Sequence, residues 1–266
     1  MAVVKEKDFQ QKINAPFPMN VPCQPTFPDR EYNIAEYGAE SGGEIKNTEA
    51  INATIEACAA AGGGRVVVPE GLWLTGAIHL KSNVNLHLAE GATLRFSDDP
   101  DDYLPAVFVR WSGVECYNYS PLIYANECEN IAVTGKGSLD GNGEKWWKWK
   151  ENDRELKSNL QNLHAEADGK PVRERVYGTP EYGMRPQFIV PIQCRNVLIE
   201  DVSINSGPFW TIQLTYCEEA TVRGIHIDNY GPNNDGVNVD SSRNVLIENS
   251  FFNTGDDSIC MKSGMN

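Results

Sequence analysis

No stretch of this chain approaches the ~20 consecutive apolar residues of a membrane-spanning helix, so a helical span is excluded. Positive charge is in short supply: 23 basic residues face 37 acidic ones, for a net charge of −14. That balance argues against nucleic acid and anionic membrane surfaces as partners. Histidine is scarce, with His79, His87, His164 and His226 the only four, and none lies at a metal-ligand spacing. The cysteines are Cys23, Cys58, Cys116, Cys128, Cys194, Cys217 and Cys260. Their number is odd and no pair reads C-x-x-C, so neither a disulfide framework nor a zinc site is indicated. Lying beside strand-like runs, they read as small buried hydrophobes. No G-x-S-x-G, P-loop or G-x-G-x-x-G motif is present, and no cofactor is implied. The N-terminal MAVVKEKDFQQKINAPFP lacks the apolar core of a secretion leader, which leaves the compartment open.

What is present is a core and a repeat. Of the 266 residues, 41% are hydrophobic, enough for one sizeable domain. Residues 1–30 read as an irregular, proline-rich lead-in, and 31–266 as a single domain. Between Asn47 and Gly62, Ile51, Ile55 and Cys58 recur at helical spacing, and Gly62-Gly63-Gly64 supplies the stop. Short strands follow at once in RVVVPEG, LWLTGAIHL and NVNLHLAEGATLRF. Val84, Leu86 and Leu88 alternate with polar neighbours, as do Ala92, Leu94 and Phe96.

Val197, Ile199, Val202 and Ile204 align with Ala220, Val222, Ile225 and Ile227 at an offset of 23 residues. These align in turn with Val245, Ile247, Ser250 and Phe252 at an offset of 25. A second strand repeats in step, from Phe188 and Val190 to Ile212 and Leu214, then Val237 and Val239, then Ile259 and Met261. A period of this length built from short alternating strands marks a solenoid whose coils must stack to bury their apolar faces. Leucine-rich repeats share the period, but their fixed Leu/Asn pattern is missing and no helix alternates with the strands. The expectation is a parallel β-helix with a short N-terminal capping helix. Residues 142–183, with Trp146, Trp147 and Trp149, break the repeat and read as an excursion from one coil, on a face that such insertions often use for binding.

Two acidic motifs fall on that frame. Asp235 lies two residues before Val237, and Asp257 two residues before Ile259, so they occupy equivalent positions on adjacent coils. Coils stack at about 4.7–4.9 Å, and Asp256 is next along, so three carboxylates converge at one edge. Each aspartate alone is a common turn residue that bonds its own backbone. Three together repel one another and raise one pKa, which suits a pair of acid and base for glycoside hydrolysis. Trp210 holds the equivalent position one coil earlier, where it either packs in the core or offers a flat face to a sugar. Lys262 either balances charge, binds a substrate carboxylate or is simply solvated.

At these residues the sequence resembles the polygalacturonases of glycoside hydrolase family 28. Asn233-Asn234-Asp235 matches the family's Asn-Thr-Asp motif with Asn for Thr, and Gly255-Asp256-Asp257 matches its Gly-Asp-Asp. Supporting stretches include YGA near 37, GGGRVVVPEG at 62, LKSNVNLHLAEGATL at 80, GSLDGNGEKWW at 137, MRPQFI at 184 and SGPFWTI at 206. The resemblance implies a right-handed parallel β-helix that hydrolyses galacturonic acid linkages of pectin with inversion. It implies Asp256 as general acid and Asp235 and Asp257 as holders of the water; Asn233, Trp210 and Lys262 stand beside them as candidate substrate-binding residues. The partner implied is a pectic polysaccharide or oligogalacturonide, a polyanion that needs a locally basic site, and the substrate class suggests a secreted or periplasmic protein. The family's Gly-His-Gly and Arg-x-Lys motifs lie in coils after the Asp-Asp pair, whereas this sequence ends at Asn266. The domain is therefore expected to be incomplete at its C-terminal end, with a raw sheet edge there. A catalytically incomplete β-helix that binds carbohydrate is the alternative function. A pectate lyase, which uses calcium and an arginine base, finds no matching site. The excursion is expected to wall off one end of the cleft and favour exo-action.

Overall fold

The computed structural model describes residues 20–151, 163–165 and 168–264. It is a right-handed parallel β-helix in which successive coils contribute strands to three sheets. The first sheet has seven strands, from Glu31–Asn33 through Arg195–Glu200 and Glu218–Arg223 to Arg243–Glu248. The second has six, from Gly71–Thr75 to Phe251–Thr254. The third also has six: Ile78–His79, Ile123–Asn126, Ile189–Ile192, Ile212–Thr215, Val237–Asp240 and Ile259–Lys262. A helix, α1 (Thr48–Ala60), packs Ile51, Ile55 and Cys58 against the first coil. It ends where the Gly63 N–H reaches back to the Cys58 carbonyl at 2.9 Å, with Gly62 and Gly63 at φ 91° and 98°, values that disfavour other residues.

The repeat sets the register. Val197, Ala220 and Val245 stack in the first sheet, and Ile204, Ile227 and Phe252 in the second. Near the start of the later first-sheet strands a left-handed residue recurs, including Asn130, Asn196 and Asn244, which is why Arg-Asn-Val recurs there.

The third sheet corrects one expectation. Ile189, not Phe188, pairs with Ile212, one residue away from the alternation-based register. A slip of one exchanges the faces: Ile189 joins the inner core, while Val190 and Ile192 join a second, outer cluster. The segment Ile189–Ile192 is apolar on both sides because its outer face is covered, so alternation carries no register there.

The cover is an antiparallel hairpin, Val107–Trp111 with Val114–Asn118, turning at Ser112-Gly113 with both residues at positive φ. Alternating apolar residues around Ser-Gly are a hairpin signal, and reading them so finds this element from sequence. Val109, Trp111 and Cys116 pack on the outer face of the third sheet with Val190, Ile192 and Trp210. Arg110 fixes the hairpin: its Nη1 lies 3.0 Å from Asp240 Oδ1, with both side chains 1% exposed. From the excursion, helix α2 (Glu144–Glu151) docks through Trp146, buried against Tyr103 and Trp149, and through Trp147, whose indole N–H donates to the Gly207 carbonyl at 2.9 Å. Residues 152–162 and 166–167 of that excursion lie outside the described residues.

Candidate active site

The site forms at the turns that lead from the second sheet into the third. Strand Val237–Asp240 pairs with Ile259–Lys262 in parallel, Val237 opposite Ile259. The Gly236 N–H donates to the Asp257 carbonyl at 2.9 Å and the Thr211 N–H to the Asp235 carbonyl at 2.9 Å. Positions 210, 235 and 257 thus stack on three coils, as the repeat requires.

Buried amides shape the middle turn. Asn234 Nδ2 donates to the Gly207 carbonyl at 2.7 Å and to Asn229 Oδ1 at 2.6 Å, and Asn229 Nδ2 donates to Thr211 Oγ1 at 2.8 Å. The asparagine that departs from the family's threonine therefore has a bracing role in this turn. Asn233, with φ 58°, turns outward; its Nδ2 donates to Asp256 Oδ2 at 3.3 Å and its Oδ1 accepts from Arg185 Nη2 at 2.9 Å.

The three carboxylates differ in environment. Asp235 is 3% exposed, and Lys262 Nζ lies 3.2 Å from its Oδ2. Burial raises its pKa; Lys262 opposes the rise and Asp256 adds to it. Asp256 is exposed, with its Oδ1 accepting the Asp257 N–H at 3.0 Å. Asp257 is exposed too, and Cys260 Sγ sits 3.0 Å from its Oδ2 and 3.6 Å from Asp235 Oδ2. Burial and the Asp257 hydrogen bond push the Cys260 thiol up to about 12, so it stays protonated and donates.

Lys262 faces Trp210 as well, its Nζ 4.3 Å from the ring centroid. The indole is 8% exposed and stacks on Phe209 at 4.8 Å, so most of its surface is already packed. All six residues singled out in the sequence, Asp235, Asp256, Asp257, Asn233, Trp210 and Lys262, fall in this one neighbourhood. Sequence reasoning missed Arg185, whose location in MRPQFI gives no local signal, and Cys260, which was grouped with the buried cysteines. Five of the seven are buried, but Cys23 is exposed and Cys260 half-buried beside carboxylates; all seven are free. Cys260 lies on the last strand described of the third sheet, opposite Asn238. Among the described residues, no group of three or more His, Cys, Asp or Glu side chains is placed to hold a metal ion.

The family model "Glycosyl hydrolases family 28" matches residues 176–266, the segment that carries all of these groups except α2 and the hairpin. Over residues 176–266 the chain matches that family. Among curated relatives, an exo-poly-alpha-D-galacturonosidase of Dickeya chrysanthemi is 33% identical over 257 residues, covering 88% of this chain and 42% of the relative. Among solved structures, the hyperthermoactive exopolygalacturonase of Thermotoga maritima superposes with a TM-score of 0.88 at 44% identity, covering 92% of this chain and 57% of that one. The family 28 exopolygalacturonase of Yersinia enterocolitica gives 0.69 at 26% identity, covering 88% and 45%. The chain spans about half the length of these relatives.

Proposed function

We propose that the protein hydrolyses α-1,4-galacturonic linkages of polygalacturonate with inversion, acting from chain ends. The observation that carries this reading is the convergence of Asp235, Asp256 and Asp257 from two adjacent coils, one carboxylate buried and two exposed. Asp256, exposed on one side and held by Asn233 and the Asp257 N–H, protonates the leaving oxygen. Asp235 and Asp257, stacked on adjacent coils and linked through the Cys260 thiol, hold the attacking water. The raised carboxyl is Asp235, on the water side, and this suits a base: a pKa nearer the working pH makes a stronger one, while Lys262 favours its ionised form. The names of the Dickeya, Thermotoga and Yersinia relatives support exo-action. So does the excursion, which brings α2 onto the turn at Gly207 beside the site.

The test is a reducing-sugar assay on polygalacturonate with product analysis. Monomer or dimer released from the start is expected; a mixed ladder of oligomers early in digestion counts against exo-action. Asp256→Asn is expected to lose ~10²–10⁴-fold in kcat, the usual share of a general acid, with an unchanged fold. Near-normal turnover by that variant overturns its role. NMR of the fresh product is expected to show the inverted anomer, since inversion needs carboxyls ~6.5–9.5 Å apart with room for water. Absence of turnover together with retained binding of oligogalacturonide would instead support the carbohydrate-binding reading.

A further inference from the structure

Arg185 is a cation in an unusual position. It is 3% exposed, yet its bonded partners are all neutral: the carbonyls of Pro208 and Pro232 at 2.9 and 2.7 Å, and Asn233 Oδ1 at 2.9 Å. Among the described residues no carboxylate forms an ion pair with it, in contrast to Arg110, which is equally buried and pairs with Asp240. Its guanidinium lies 4.8 Å from the Phe209 ring centroid. Burial with no compensating anion pulls its pKa down to about 10. A buried charge left uncompensated is costly, and proteins keep one where a charge arrives with a ligand.

Arg185 lines a cavity of about 140 Å³, shared with Trp111, Ser112, Lys150, Trp210 and Asn233. That is several times the ~10–15 Å³ needed to hold one water. The walls join aromatic surface to two cations, Arg185 and Lys150, and among the described residues no acidic one lines them. Asn233 connects the cavity to the catalytic cluster, touching Arg185 with one end of its amide and Asp256 with the other.

We propose that this cavity is a uronate pocket, in which Arg185 and Lys150 receive the carboxylate of a galacturonate ring lying next to Asp256. A guanidinium retains donors for an incoming carboxylate after its three protein bonds are made, because it carries five. Trp111 and Trp210 supply apolar surface for the ring. Lys150 comes from α2, so the excursion contributes charge to the pocket as well as a wall. The pocket rests on the proposed function only for the identity of its ligand.

The test is binding of monosaccharides to the whole chain, read by calorimetry and by the fluorescence of the indoles that line the cavity. Galacturonate is expected to bind, and galactose and methyl galacturonate roughly tenfold or more weakly, the size of one charge-assisted hydrogen bond. Arg185→Gln is expected to weaken galacturonate by a similar factor and leave galactose unchanged. Lys150→Met, on a partly exposed helical position, is expected to weaken galacturonate by a smaller factor. It keeps the test valid should Arg185→Gln fail to fold. Equal affinity for galacturonate and galactose overturns the pocket, as does wild-type affinity in both variants. Inorganic sulfate that displaces galacturonate at equal concentration makes it a general anion site and overturns it too. Selective binding without hydrolysis of polygalacturonate overturns the proposed function and leaves the pocket standing; hydrolysis without selective binding does the reverse.

Discussion

The turn that carries Asp235 and the turn that carries Asp256 and Asp257 occupy the same place on successive coils, but only the first is enclosed. Asn234 and Asp235 are buried, and the strand that follows ends in Asp240 beneath the hairpin. On the next coil Asp256 and Asp257 are exposed, and the inner-face residues Ile259 and Met261 are 44% and 76% exposed where Val237 and Val239 are 0% and 8%. The comparison shows what a coil stacked above contributes: the Asp235 turn lies between two coils, and the Asp256 and Asp257 turn lies on the last coil described. Register brings them together, and desolvation of the buried Asp235 raises its pKa. The outward positions diverge in the same way. Asp240 pairs with Arg110, whereas Lys262, its register partner, reaches back to Asp235.

The largest effect is expected from removing the enclosure. Asp240→Ala leaves Arg110 buried without its anion, and breaking such a pair typically costs ~3–5 kcal/mol. Urea unfolding is expected to show a loss of that order, with most of it recovered in the double variant Arg110→Met, Asp240→Leu, which buries no charge. A single variant that unfolds like wild type would mean that the hairpin is not held by this pair.

That enclosure is also where the sequence was least legible. The inner stack could be read because apolar residues at Val197, Ile199, Val202 and Ile204 recur at a fixed offset on later coils, and the stacking of Asp235 with Asp257 follows from it. The outer layer obeys no repeat. It made Ile189–Ile192 apolar on both faces, which hid the register by one residue, and it made Trp210 a packed residue as much as a surface one. Arg185 and Lys150 meet only in three dimensions, from segments 35 positions apart, so nothing local pairs them.

The next effect sharpens the contrast by making Asp235 more extreme. Lys262 lowers the pKa that burial raises, so Lys262→Met removes an opposing influence. The Asp235 carboxyl is then expected to titrate at higher pH than in wild type. If Asp235 serves as base, the acidic limb of the pH–rate profile moves upward with it, and ¹³C titration of the carboxyl follows the same shift without relying on turnover. An unmoved titration would show that the 3.2 Å contact contributes little in solution.

Asp235→Asn erases the contrast from the other side. The folded-state pKa of Asp235 lies above its ordinary value of 3.8. A raised carboxyl favours the folded state fully below the unfolded value, and that contribution is lost as pH rises through the folded one. Wild type therefore carries a penalty at neutral pH that the amide lacks. Asp235→Asn is expected to match wild type in stability below pH 3.8 and to gain on it as pH rises toward neutral, measured by denaturant midpoints across that range. A variant less stable than wild type at neutral pH would mean that the carboxylate is chiefly a structural acceptor in the turn.

The smallest effect concerns the contact that joins the two turns. Cys260 reaches Asp257 Oδ2 at 3.0 Å and Asp235 Oδ2 at 3.6 Å, so one thiol spans an exposed carboxylate and a buried one. Its pKa, pushed up to about 12, keeps it a donor throughout the neutral range. A net hydrogen bond is worth ~0.5–1.5 kcal/mol, and a thiol is a weak donor, so the lower part of that range applies. Cys260→Ala is expected to lower kcat by roughly twofold to fivefold, with KM and the unfolding midpoint nearly unchanged. Cys260→Ser keeps a donor on the same strand position and is expected to recover most of the loss, although its shorter C–O bond reaches less far. The order wild type, serine, alanine in kcat identifies the donor as the property that counts. Alanine equal to wild type would leave Asp235 and Asp257 joined by stacking alone, with the thiol a bystander between them.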